Sequence, residues 1–384
     1  MKIHLVVILA LSFSASTFAK QNKIEQIPAD NFKTEINGKQ TALYTLTNSK
    51  GMTVQITNYG ARVVALWVPD KVGGFQDVVW GFSSIQEYLK STDIYCGPIV
   101  GRFGNRINKG QFKLNNTSYQ LTINNNGNHL HGGTKGFECR VWDAKYVKVA
   151  GNKGLKLSYV SPDGEEGYPG NLTISVTYIV TENNELTINY SATTDAATIV
   201  NPTSHCYFNL SGTTANTILS HQLKINALKY TPVTTGLIPT GELLPVKGTP
   251  LDFTKFTTIG EHINVINEQL ALGLGYDHNY VLNKNAKKMG EAAEIYSDQS
   301  GISMKVITDQ PGLQFYSGNF MDGTLTGKRG DVHAYRTGFA LEAQNYPDAP
   351  NHKNFPSAVL QPNETYSQTT TYAFGLRNPK ENVK

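Results

Sequence analysis

The stretch LTISVTYIVTENNELTINYSAT, residues 172–193, alternates apolar and polar side chains in two successive runs. Leu172, Ile174, Val176 and Tyr178 share one face of the first run, and Leu186, Ile188 and Tyr190 share one face of the second. A period of two belongs to a strand with one buried side, because successive side chains leave a strand on opposite faces. Working outward, MTVQITNY (52–59) repeats the pattern with Met52, Val54 and Ile56. Turn sequences such as PDG, NNG and SG separate runs of this kind. The chain holds 35 glycines and 20 tyrosines, a composition that favours strands and turns over long helices. SIQEYLK (84–90) is the clearest helical turn. The expectation is an all-β chain that closes as a large β-sandwich or barrel without free edges. No internal repeat is visible. PVTTGLIPTGE (232–242) reads as loops inside one domain, so residues 20–384 are expected to form a single domain.

The first nineteen residues read differently. Lys2 precedes the apolar run LVVILALSF, too short for a membrane span, and small residues follow at Thr17–Ala19. This predicts a signal peptide over 1–19, cleaved near Ala19, and an exported protein of the periplasm or the medium. No cysteine stands directly after the cleavage point and no later apolar run approaches a membrane span, so no lipid or membrane anchor is expected. The formal charge of +4 is spread without basic clusters, which gives no case for nucleic acid. Cys96, Cys139 and Cys206 lie far apart and do not describe a disulfide framework, although one bridge between two of them stays open.

Five segments stand out from the strand background. GRFGNRINKGQF (101–112) reads either as a glycine-rich turn with solvated arginines or as Asn105 and Arg106 presented to a polar ligand. GNHLHGGTKGF (127–137) carries His129 and His131, an H-x-H pair that would need further His or carboxylate ligands near by to hold a metal. NPTSHCYFNLSG (201–212) carries His205 in a β-like setting, and GLGYDHNYVL (273–282) carries Asp277 and His278 ahead of an apolar run. FALEAQNYPDAPN (339–351) places Glu342 behind an apolar run, where an enclosed carboxylate is costly unless it has a partner or a task. No nucleophile elbow, phosphate loop or zinc quartet is recognisable. The set suits acid–base work on a neutral, hydroxyl-rich substrate.

These segments, with SPDGEEGYPG and TDQPGLQFYSGNF between them, resemble in their order and spacing the aldose 1-epimerase (galactose mutarotase) family over nearly the whole chain after residue 19. The resemblance implies a large antiparallel β-sandwich, the galactose mutarotase-like supersandwich, with no metal and no organic cofactor. It implies interconversion of the α and β anomers of a free aldose of glucose or galactose type. It also implies Glu342 as general base and His205 as general acid, with Asn105, Arg106, His131, Asp277 and Gln310 as substrate contacts. His129 and His278 are only neighbours. Enclosure should raise the Glu342 pKa and lower that of His205. The carboxylate is expected to win and keep the histidine charged, leaving the alkaline limb of the rate to His205.

Rival readings are a glycoside hydrolase, which needs a second carboxylate and would have to use Asp277, a non-catalytic carbohydrate-binding protein, and an epimerase of sugar phosphates. The first differs by cleaving an aryl glycoside. The second would not need Glu342 and His205 together. The third would need a basic cluster that the sequence lacks. A small-molecule aldose is the expected partner, with the chain a monomer or weak dimer.

Overall fold

The computed structural model describes residues 24–212, 217–283 and 288–377. The signal peptide expected over 1–19 lies outside them. The runs that opened the sequence analysis are the adjacent strands Leu172–Val180 and Glu185–Thr194, paired antiparallel from Leu172↔Thr194 to Val180↔Leu186. They belong to a nine-stranded antiparallel sheet, flanked on one side by Asn152–Ser161 and on the other by Tyr366–Leu376. Leu172, Ile174, Val176, Tyr178, Leu186 and Ile188 are buried, whereas Thr173, Ser191 and Thr193 are exposed. Each large apolar side chain so enclosed contributes about 1.5–3 kcal/mol.

The inner face of this sheet packs against two smaller antiparallel sheets. A four-stranded sheet adds Val54, Ile56, Leu66 and Val68, and a five-stranded sheet adds Leu313, Phe315, Leu341 and Ala343 to the same core. The architecture is the expected antiparallel β-sandwich. Strand Thr53–Thr57 is buried at every position, not on one face alone. Its outer face is covered by the chain near Ile27, whose N–H and C=O are both paired with the Gln55 amide at 2.8 and 3.0 Å. The short helix Ile85–Lys90 starts where expected. Ser84 Oγ accepts from Glu87 N, and the Glu87 carboxylate accepts from Ser84 N, a reciprocal cap.

Two features of the fold place the site. The five-stranded sheet contains Asp277–Leu282, Gly312–Tyr316 and Ala340–Gln344 side by side. Tyr280, Leu313, Phe315, Leu341 and Ala343 enter the core, so strand alternation turns Asp277, Gln314 and Glu342 to the other face. The second feature corrects the solvated reading of the 101–112 arginines. Arg102 is 1 % exposed, and its guanidinium donates to the carbonyls of Ser161, Pro162, Pro169 and Gly170 and to the hydroxyls of Ser161 and Thr198. That side chain staples the glycine-rich loop to the large sheet and leaves Asn105 and Arg106 facing a cavity. All three cysteines carry free thiols.

Candidate active site

A cavity of about 570 Å³ opens on the outer face of the five-stranded sheet. Asn105, Arg106, His131, His205, Asp277 and Glu342 all line it. Gln310 does not join them: its side-chain amide donates to Asp309 at 3.1 Å. The glutamine beside the cavity residues is Gln314, in register with Glu342 on the next strand, with its amide donating to Asp277 Oδ1 at 2.6 Å. The signal for it was the alternation of GLQFY, which puts Gln314 on the opposite face from Leu313 and Phe315.

Glu342 is 2 % exposed, and its Oε1 lies 3.7 Å from His205 Nε2. His205 is not inside a strand. The strand Thr203–Ser204 stops just before it, and its backbone stays fixed because its N–H donates to Pro98 O and its C=O accepts from Gly97 N. Burial pushes the Glu342 carboxyl well above its ordinary range, helped by the nearby Asp277 charge and opposed by Arg106. Burial pushes His205 down to about 4. The expectation that the carboxylate would keep the histidine charged is therefore reversed. Desolvation outweighs attraction across 3.7 Å, so burial disfavours the charged form of both groups.

Asp277 is held on both oxygens, by Gln314 and by Arg106 Nη1 at 3.8 Å. His129 and His131 part company because the strand that holds His129 ends at Leu130. His129 is buried away from the cavity, with Nδ1 2.6 Å from Thr122 O and Nε2 2.6 Å from the Tyr168 hydroxyl. His131 follows strand His129–Leu130 at φ +52° and turns into the cavity. His278 lies on the core side of its strand near Tyr230.

His131, His205 and Glu342 each offer a ligand atom, all within 4.8 Å of one another, the one such group among the described residues. The distances alone would suit a metal with two histidines and a carboxylate. The tautomer opposes it. His131 Nδ1 accepts from the Asn105 backbone N–H at 3.0 Å, so the neutral ring carries its proton on Nε2 and donates. A metal at Nε2 would require the opposite tautomer, with two N–H groups facing each other. A hydroxyl or ring oxygen fits that donor instead. Dialysis against a strong chelator is accordingly expected to leave the rate unchanged. Activity lost on chelation and restored by Zn²⁺ would contradict this geometry.

Known proteins resemble the chain over most of its length. The family model "Aldose 1-epimerase" matches residues 42–373. The chain is 43% identical over 328 residues to a galactose mutarotase of Sus scrofa, which covers 85% of this chain and 92% of the relative. It is 35% identical to an aldose 1-epimerase of Escherichia coli over 88% of this chain and 96% of the relative. Among solved structures, a galactose 1-epimerase of Lactobacillus acidophilus superposes with a TM-score of 0.79 at 31% identity, covering 90% of this chain and 98% of that one. With its sandwich, its enclosed carboxylate–histidine pair and these likenesses, the chain belongs to the aldose 1-epimerase family.

Proposed function

We propose that the cavity interconverts the α and β anomers of a free aldose of glucose or galactose type, with Glu342 as general base and His205 as general acid. The observation that carries the reading is the enclosed carboxyl–imidazole pair, 3.7 Å apart, with Arg106, Asp277 and His131 lining the same cavity. The C1 hydroxyl and the ring oxygen of a cyclic aldose are bonded to one carbon, so a base and an acid that serve them must converge.

In the working direction Glu342 takes the C1 hydroxyl proton and His205 protonates the ring oxygen as the C1–O5 bond breaks. Rotation about C1–C2 turns the aldehyde over, and the reverse transfers close the other anomer. Ring opening leaves Glu342 protonated and His205 neutral, the forms that burial favours. The dry cleft thus stabilises the opened state relative to the charged pair. The His131 Nε2–H and Arg106 supply donors to oxygens on which charge develops. Asp277 grips sugar hydroxyls as an acceptor, and Asn105 is a further substrate contact. Among the described residues, Arg106 is the one Lys or Arg side chain lining the cavity, and it already faces Asp277, which disfavours a sugar phosphate. The same pairing disfavours a glycosidase, because Asp277 is committed to Arg106 and Gln314. Polarimetry of fresh α-D-glucose and α-D-galactose tests the reading: mutarotation faster than in buffer is expected, with no cleavage of an aryl glycoside, and a rate equal to buffer would refute it.

The pH profile follows from the shifts. The active pair must carry one proton in total. A second proton goes on only as pH falls toward the lowered His205 value of about 4. The last proton leaves only above the ordinary carboxylate range, because Glu342 is raised. A broad bell in kcat/KM is expected, and an acid limb near the free-histidine value of about 6.5 would contradict it.

Residues 1–19 are proposed to direct export, with 20–384 one domain acting as a monomer or weak dimer in the periplasm or medium. Intact mass of the exported protein tests this: a chain beginning at Lys20 is expected, and an uncleaved Met1 terminus would refute the assignment.

A further inference from the structure

We propose that Asp93 is a positioning residue for the reaction, aiming the His205 ring through the two aromatic walls Tyr95 and Tyr207. The inference rests on the acid role of His205 given above. Beyond the Glu342 contact, the buried His205 Nδ1 has no side-chain partner and has the Tyr95 backbone as a hydrogen-bonding neighbour. Ring direction therefore rests on where Tyr95 is held and on packing. Three rings surround it: Tyr207 at 4.9 Å and 78°, His131 at 5.1 Å and 87°, and Tyr95 at 5.8 Å and 37°.

Both tyrosines lead back to one carboxylate. Asp93 Oδ1 accepts from the Tyr95 backbone N–H at 2.9 Å, and the Tyr207 side chain hydrogen-bonds the same carboxylate. The Asp93 backbone is fixed in turn by Ser91 Oγ. Arg62, buried behind the loop, donates to Ile94 O and Cys96 O on either side of Tyr95. The charged or titratable groups facing His205 are thus Glu342, His131, Tyr95 and Tyr207, with Arg62 behind. Loosening the walls frees the imidazole to swing and lets in water. A displacement of about 1 Å of a catalytic group costs up to about 10²-fold.

The test uses Asp93→Leu and Asp93→Asn, with kcat, KM, the pH profile and an NMR titration of the His205 ring. Asp93→Leu is expected to lower kcat about tenfold or more, keep KM within about twofold, and move the acid limb up from about 4 toward 6.5. Asp93→Asn should recover most of kcat, since its Oδ1 still accepts from Tyr95 and the Tyr207 hydroxyl can turn to accept. If Asp93→Leu does not fold, Tyr207→Phe, which removes only the hydroxyl, should give a smaller loss and the same shift of the limb. Wild-type kcat and limb in a folded Asp93→Leu would overturn the proposal. So would a loss confined to KM, which marks direct sugar contact, or an asparagine variant no better than leucine. Wild-type protein without mutarotase activity would sink the acid role instead, and the NMR titration of His205 would still judge the positioning.

Discussion

Glu342→Gln is expected to lower kcat for mutarotation by about 10²-fold or more while the protein stays folded. The amide matches the protonated carboxyl in shape and cannot accept the C1 proton, and a positioned base is worth about 10²–10⁴-fold. The stability side has a definite sign. The Glu342 pKa is raised by burial, so its favourable contribution is present at low pH and is lost as pH rises through the folded value. Glutamine has no such loss. The variant should unfold at the same temperature as the parent in acid and at the same or a higher temperature at alkaline pH. Thermal scans at pH 5 and pH 9, beside polarimetry, check both halves. A variant keeping more than about a tenth of kcat would remove Glu342 from the mechanism.

Lys328→Met is expected to cost about 3–5 kcal/mol of stability, the largest loss anticipated for a residue outside the pair. Lys328 is 2 % exposed, and Nζ donates to Asp77 Oδ2 at 2.6 Å, Val64 O at 2.7 Å and Val79 O at 2.9 Å. All three ammonium protons are used. The bond set ties the loop that carries Leu325 and His333, two cavity-lining residues, to the four-stranded sheet. Methionine fills much of the space but leaves a buried Asp77 with only Arg329, at 3.5 Å, as a cationic partner. Urea unfolding measures the loss. Adding Asp77→Asn to Lys328→Met should recover part of it, because the uncompensated charge is then gone. A single-variant loss below about 1 kcal/mol would show that Lys328 does not fasten the loop.

Much of the fold was legible where one face of a strand is core and the other is wet. Leu172–Val180 and Glu185–Thr194 are such strands, and their alternation carries through to burial. Thr53–Thr57 is harder, since the chain near Ile27 covers its outer face. Arg102 was not legible at all. Its acceptors lie 59 to 96 residues away, and most are backbone carbonyls that leave no trace in side-chain pattern. Glu342 could be picked out because an acid closing an apolar run is an anomaly wherever the run folds. Gln314 could not be preferred to Gln310 without knowing that its strand lies in register with the Glu342 strand. The protonation of the pair also escaped the sequence. Which effect wins depends on how completely Tyr95, Tyr207 and His131 exclude water from His205, and that is a property of packing.

Anomer interconversion requires proton transfer at the C1 hydroxyl and the ring oxygen of a free aldose. The most direct measurement is NMR exchange between the α and β anomeric H1 signals of galactose at equilibrium, with methyl α-galactoside as the blocked control. The expected result is enzyme-accelerated exchange for galactose, none for the methyl glycoside, and loss of the acceleration in both Glu342→Gln and His205→Asn. Exchange at the buffer rate with wild-type protein, or full acceleration with either variant, would contradict it.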